Sequence, residues 1–188
     1  MKRLFAYIII SLLSISQAFA VDTEQLTQKS RAAIKALAGE LKSTLQASMK
    51  ASGPVDTVAM CQLQAPVIAN KISQSKGMVV ARTSLKYRNQ KNKPDAWEKS
   101  VLEMFEQRKA KGEAVKTIEY SELTEHNGEK VFRYMKAIPT GEVCLMCHGS
   151  NVPQPVINKI NSLYTDDKAT GFNKGDIRGA FSVIQTLN

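Results

Sequence analysis

Apolar residues recur with a helical period along the first part of the chain that follows residue 21. Six of them approximate one stripe along this segment: Leu26, Ile34, Leu37, Leu41, Leu45 and Met49. The other side carries Lys, Arg and Gln, and Asp22 and Gln25 match a D-x-x-Q capping pattern at the start. We therefore predict a long amphipathic helix up to Ala51, and a homodimer formed through this helix is left open.

A second apolar stripe begins after Ser52-Gly53-Pro54, a sequence that breaks one helix and starts another. Its members are spaced by three, four, three and four residues: Val58, Cys61, Ala65, Ile68 and Ile72. The Cys61 thiol is therefore predicted to face inward. Pro66 predicts a kink one turn later, because proline cannot donate a backbone hydrogen bond. Met60 lies about 100° further around the helix, so it cannot point at the same atom as Cys61.

The remaining pattern predicts a sheet with helices around it. Residues 78–83 and 177–187 are rich in β-branched residues, and residues 116–125 and 129–138 form a hairpin around Asn127-Gly128. Asp95 caps a helix, residues 139–149 form a loop, and residues 156–163 form a short helix. This order predicts an α+β fold with a mostly antiparallel sheet and long N-terminal helices.

The first twenty residues have the composition of a signal peptide. Lys2 and Arg3 are followed by an apolar run over residues 4–13 and by the cleavage pattern Ala18-Phe19-Ala20. The run is short for a membrane span, which makes an uncleaved anchor the alternative. We predict a signal peptide over residues 1–20, a single domain over residues 21–188, a periplasmic location and no membrane span after cleavage.

The net charge of the chain is +9, and removal of Lys2 and Arg3 lowers it to +7. This excess favours acidic partners. The basic residues are scattered along the chain and interleaved with acidic ones, a pattern that does not favour nucleic-acid binding.

Residues 144–148 read Cys-Leu-Met-Cys-His, a CxxCH motif. In an exported protein this motif is typical of one covalently bound c-type haem, with thioether bonds from Cys144 and Cys147 and with His148 as the proximal iron ligand. A zinc site would need more Cys and His residues than the chain offers, and a thioredoxin-like site would need a βαβ context. Cys61 is the third cysteine, and His126 at the hairpin tip is the second histidine.

Five segments of the sequence resemble a family of exported monohaem c-type proteins of unknown function that have a PAS-like haem-binding fold. These segments are residues 54–69 with Cys61, Ala65 and Pro66, residues 82–89, residues 94–98 with Trp97, residues 144–149, and residues 169–180. The resemblance extends over essentially the whole mature chain. Gln90 departs from the proline expected at that position, which affects only the conformation of the loop.

The resemblance implies a PAS-like fold and two axial iron ligands, His148 and Cys61. An isolated cysteine on an apolar stripe is otherwise a small buried hydrophobe, and Met60 is the main competing ligand, followed by His126 or a lysine. Residues 82–88, which belong to one of the matching segments, are expected to line the haem edge. There Arg82 or Arg88 is expected to pair with a propionate, the alternative being a solvated basic strand end.

These features predict a monohaem protein that acts in one-electron transfer or redox sensing with a separate redox partner. The alternative is a haem-based sensor of small gaseous ligands, in which Cys61 leaves the iron on reduction. We do not expect an enzyme, because haem catalysis would need distal acid-base groups and His126 is the spare histidine.

Overall fold

The structure is a computed structural model and describes residues 21–187 of the chain. The predicted signal peptide lies outside the described residues, and the division into signal peptide and single domain stays a prediction. None of the helices within residues 21–187 has the length and apolar character that crossing a membrane requires.

The described residues form four helices and four strands, in addition to short 3₁₀ turns. In chain order they are α1 (Thr23–Lys76), β1 (Val79–Thr83), α2 (Ala96–Ala110), β2 (Glu119–His126), β3 (Glu129–Pro139), α3 (Glu142–His148), α4 (Gln154–Leu163) and β4 (Ile177–Thr186).

The element α1 is two helices joined at a break. The Asp22 side chain caps its start by accepting a hydrogen bond from the Gln25 N–H at 2.9 Å. Gly53 has φ 74° and ψ −176°, a conformation that glycine adopts without steric cost. The two halves are cross-linked by a hydroxyl contact of 2.9 Å between Ser48 and Thr57. The predicted break between two helices is therefore confirmed.

Pro66 has a smaller effect on α1 than the sequence predicts. Gly53 is the one residue inside α1 with non-helical dihedral angles, so the helix continues through Pro66. Proline removes a single hydrogen bond at this point, and the apolar contacts of Ile68 and Ile72 hold the following turns against the sheet.

The four strands form one antiparallel sheet in the order β1-β4-β3-β2. The hairpin between β2 and β3 turns at Asn127 and Gly128, whose φ values of 53° and 82° are those of a type I′ turn. The sequence prediction of an α+β fold with an antiparallel sheet is confirmed.

The sheet lies between two helical layers. On one face Phe132 and Tyr134 of β3 pack against α1, and on the other face Met135 and Ala137 pack against α2. This alternation follows from the period of two along a strand. A third apolar cluster, centred on Val58, Val156 and Ile160, joins the second half of α1 to α4 and to Cys147.

Gly179 sets the geometry where β1 ends and β4 begins. Its φ is 151°, and a Cβ atom at this position would clash with the carbonyl oxygen of Thr83. Glycine therefore allows β4 to pass close to the end of β1. This close approach brings Arg178 next to the segment that follows β1, at the edge of the site described below.

Candidate functional site

The CxxCH motif lies on the helix α3, not in the loop that the sequence predicts. Helical spacing places Cys144, Cys147 and His148 on one side of α3, because residues three and four apart share a face. The flanking glycines, Gly141 and Gly149, form the ends of the helix, and this is why the segment resembles a loop in sequence. The strand β3 precedes α3, but β3 and β4 run antiparallel, so the βαβ context of a thioredoxin-like site is not present here.

The end of α3 is bound to the loop that follows α4. The Phe172 N–H donates to the carbonyl oxygen of His148, and the Gly171 N–H donates to that of Gly149, both at 3.0 Å. A Cβ atom on Gly149 would lie 2.7 Å from the Leu145 carbonyl oxygen. Glycine thus lets the chain leave α3 tightly and run beside residues 169–172.

His148 is oriented by a hydrogen bond to the same loop. Its Nδ1 atom lies 2.7 Å from the carbonyl oxygen of Ala169, so Nδ1 carries the proton and donates. Burial lowers the pKa of His148 well below its usual value, and the charges of Arg178 and Arg88 lower it further. The imidazole is therefore neutral at neutral pH, and the lone pair of Nε2 is available to a metal.

Arg88 holds α3 against this loop. Its guanidinium forms an ion pair with Asp167 at 3.0 Å and donates to the carbonyl oxygen of Cys147 at 2.6 Å and to that of Ala169 at 3.3 Å. The two charged side chains are only 10% and 8% exposed. The carbonyl oxygen of Ala169 thus accepts from both His148 and Arg88.

The half of α1 that carries Cys61 lies close to α3. Val58, one turn earlier in α1, packs in the same apolar cluster as Cys147, and the Gln62 side chain donates to the Leu163 carbonyl oxygen at 3.0 Å. Burial raises the pKa of the Cys61 thiol, Arg82 and Arg88 oppose this increase, and Cys147 adds to it. The structure therefore brings together the helix that carries Cys61 and the helix that carries the CxxCH motif.

Arg82 is a half-buried cation with no hydrogen bond or ion pair to its guanidinium within residues 21–187. Burial lowers its pKa, and Cys61 and Tyr164 oppose that decrease. Arg82 therefore stands beside Cys61 without an anionic partner on the described part of the chain.

Sequence reasoning did not single out Arg178, Ala169, Asp167 or Tyr164 as site residues. Arg178 lies at the start of β4 and donates to Ser84 Oγ and to the Lys86 carbonyl oxygen, both at 3.3 Å. Burial, together with the charges of Arg88 and Arg82, lowers its pKa to about 10. The side chain of Tyr164 packs in the third apolar cluster. Arg178 and Ala169 belong to a segment that carries the family resemblance, but the sequence gives no sign that they meet α3.

The alternative ligands are placed differently. His126 pairs with Glu129 at the tip of the hairpin and lies near Asp95. Burial raises the pKa of Asp95, but the Glu98 N–H and Arg133 lower it, with a further contribution from His126. His126 is not brought to α3. Met60 is half-buried and precedes Cys61, and it stays a competing ligand.

The fold and the site together define an α+β protein in which a CxxCH helix and a cysteine-bearing helix meet beside an antiparallel sheet. The sequence profile of the Tll0287-like family matches residues 16–186, and the chain belongs to this family. Its structure is similar to the crystal structure of the cyanobacterial haem protein Tll0287, with a TM-score of 0.66 and 23% sequence identity over 87% of this chain and 96% of that chain. No curated protein matches the sequence. The family resemblance inferred from the sequence is confirmed.

Proposed function

We propose that this protein binds one c-type haem covalently through Cys144 and Cys147, with His148 and Cys61 as the axial ligands of the iron. In this proposal it acts in the periplasm, in one-electron transfer or redox sensing, and not as an enzyme. The observation that carries the proposal is the packing of the Cys61-bearing half of α1, through Val58, in one cluster with Cys147 of the CxxCH helix, which lies far from it in the sequence. Membership of a family that includes a haem protein supports haem binding.

The chemistry of the residues fits this cofactor. Cys144 and Cys147 supply two thiols on one side of α3, the neutral His148 supplies an imidazole nitrogen, and Cys61 supplies a soft sulfur. Haem iron receives four ligands from the porphyrin, so two protein ligands complete it. Accordingly, a cluster of three or more metal-binding side chains is not required, and none is found within the described residues.

The guanidinium of Arg82 is a second feature of the site that suits a haem. Partial burial of a charge without a partner is unfavourable, so an anion beside the half-buried Arg82 guanidinium would stabilise it. A haem propionate is such an anion, and the sequence prediction that Arg82 or Arg88 pairs with a propionate is consistent with the position of Arg82.

When bound, the haem would supply one reversible electron at its iron. The residues of the chain set the conditions for that step. The Ala169 carbonyl oxygen keeps His148 in the tautomer that presents Nε2, and a Cys61 thiolate would donate electron density and favour the oxidised state. The apolar cluster around Val58 and Val156 excludes water from this side of the site.

Catalysis is not favoured by the positions of the acid-base groups. A peroxidase-like mechanism needs a distal acid-base group next to the iron. His126, the histidine available for that role, lies at the hairpin tip. The proposal of a non-enzymatic redox protein rests on this placement together with the ligand set.

Absorption spectra of the ferric and ferrous protein, with and without carbon monoxide, test the proposed function. Electron transfer with a retained ligand set predicts a low-spin ferrous spectrum that carbon monoxide does not change. A ferrous protein that binds carbon monoxide would support the gas-sensing alternative, in which Cys61 leaves the iron on reduction. A purified export product without any haem absorption would contradict both.

A further inference from the structure

We propose that Arg82 and Arg178 are the two cations that bind the haem propionates, and that Arg88 is a positioning residue for α3, the helix that carries the CxxCH motif. The inference rests on the proposed haem function and extends it by assigning each of three neighbouring arginines to one task. Arg178 was not a candidate in the sequence, and Arg88 was a candidate for a propionate.

The balance of charge is the first argument. Arg82, Arg88 and Arg178 are close enough for their positive charges to interact. Asp167 is the carboxylate that lies near them within residues 21–187. Asp167 pairs with Arg88 and neutralises it. Two guanidiniums then carry uncompensated positive charge, and one haem brings two propionates, which match them in number and are opposite in sign.

The partners of Arg88 are the second argument. Its guanidinium is bidentate on Asp167, at 3.0 and 3.2 Å, and it donates further to the carbonyl oxygens of Cys147 and Ala169. Asp167 also accepts from the Ala169 N–H at 3.0 Å. This geometry engages the Nε and Nη2 donors of Arg88 inside the protein and connects Arg88 to the carbonyl that orients His148.

The partners of Arg82 and Arg178 differ from those of Arg88. Arg178 donates to two neutral oxygens at 3.3 Å and lies over the Phe172 ring at 5.2 Å, and Arg82 makes no hydrogen bond or ion pair within the described residues. Neither guanidinium pairs with a carboxylate in this part of the chain. Both lie on neighbouring strands, since β1 pairs with β4 and Thr83 lies opposite Ala180. Guanidiniums carried by a sheet are well suited to bidentate contacts with carboxylates, because the backbone beneath them is rigid.

Resonance Raman spectra of the holoprotein test this assignment, because the bending band of a propionate responds to its hydrogen-bond partner. We would compare R82Q, R178Q and R88Q with R108Q as the control, because Arg108 lies on α2 and pairs with Glu113. R82Q and R178Q should each shift a propionate band. R88Q and D167N should leave these bands in place and change the low-spin electron paramagnetic resonance signal, because the Ala169 carbonyl that orients His148 is released.

A shifted propionate band in R88Q, with unchanged bands in R82Q and R178Q, would overturn the assignment. If a glutamine variant does not accumulate, the lysine variants decide, since lysine keeps the charge but loses the forked contact. The bands should then shift in R82K and R178K and stay unchanged in R88K, and the reverse pattern would overturn the assignment. A haem stain of the wild-type protein on a denaturing gel distinguishes a failure of this assignment from a failure of the proposed function. An unstained wild-type protein would refute the proposed function itself.

Discussion

The Nδ1 atom of His148 donates a hydrogen bond to the carbonyl oxygen of Ala169 at 2.7 Å. This contact fixes the tautomer and the orientation of the imidazole from a loop outside the CxxCH motif. Arg88 donates to the same carbonyl oxygen, so the orientation of the ring depends on the Arg88–Asp167 ion pair as well. The residue that is predicted to bind iron is therefore positioned by the tertiary fold and not by the motif alone.

Replacement of Cys61 by Ser should remove thiolate ligation without removing the haem. The thiolate signature of the ferric low-spin spectrum should disappear and the midpoint potential should rise, because a thiolate stabilises the oxidised iron. Electron paramagnetic resonance and a redox titration measure the two effects, and a haem-stained gel should still show covalent haem.

Met60→Leu is the matched control for Cys61→Ser, since it changes the neighbouring sulfur on the same helix. It should leave the ferric spectrum as in the wild type. If Cys61→Ser keeps the wild-type spectrum and Met60→Leu changes it, the distal ligand is Met60 and the proposed ligation is wrong.

Replacement of Glu119 by Gln should destabilise the fold in a pH-dependent way. Burial raises the pKa of Glu119, but contacts with Arg31, Tyr134 and Lys136 outweigh burial and lower it from 4.5 to about 2. A carboxylate with a lowered pKa stabilises the protein above its unfolded-state pKa, and this stability is lost as the pH falls from about 4.5 towards 2. At pH 7 the variant should lose about 1–2 kcal/mol in free energy of unfolding, after allowance for solvent screening.

Urea unfolding at several pH values measures this difference. Glu125→Gln on the same strand is the control, because Glu125 is exposed and forms no ion pair within the described residues. If Glu119→Gln lowers the free energy of unfolding by the same amount at pH 3 as at pH 7, the predicted pH dependence is wrong.

Two glycine-to-alanine substitutions should have opposite effects. Gly179→Ala would place a methyl group against the Thr83 carbonyl oxygen at a φ of 151°, and should cost about 2 kcal/mol or more. Gly39→Ala lies in the first half of α1 with open space around it, and should stabilise the protein by about 0.5–1 kcal/mol through helix propensity. Thermal unfolding of the two variants measures both effects, and equal melting temperatures would refute this account of Gly179.

Two aspartates that cap helices should differ in importance. Asp22 and Asp95 each accept a backbone N–H at the start of a helix, and Asp95 also lies 2.8 Å from Arg133, which is 2% exposed. Asp22→Ala should therefore cost about 1 kcal/mol, and Asp95→Ala about 2–4 kcal/mol, because a buried guanidinium loses a partner. Chemical denaturation of both variants checks this order, and a cost for Asp95→Ala no larger than that for Asp22→Ala would contradict the role given to Arg133.

Local signals in the sequence were sufficient for much of the fold. Asp22, Asp95 and Asn127-Gly128 act on backbone atoms within a few residues of themselves, so the helix starts and the hairpin could be predicted. The helical state of α3 could not, because glycines at both of its ends resemble loop signals.

The composition of the site depended on contacts between distant segments. The helical period showed that Cys61 faces inward, but not which residues it meets. Ala169 reaches α3 because the loop after α4 runs along the end of α3, and Arg178 reaches the segment after β1 because β4 pairs with β1. Strand pairing of this kind has no signature in the residues themselves, so the sequence could not distinguish Arg82 from Arg88 as the partner of a propionate.

The intact mass of the denatured and reduced protein, purified after export with a functional cytochrome c maturation system, tests the central claim most directly. The account predicts the mass of residues 21–188 plus that of one haem, with the addition lost in the double variant C144A/C147A. The mass of the polypeptide alone, in wild-type protein from cells that mature other c-type cytochromes, would contradict it.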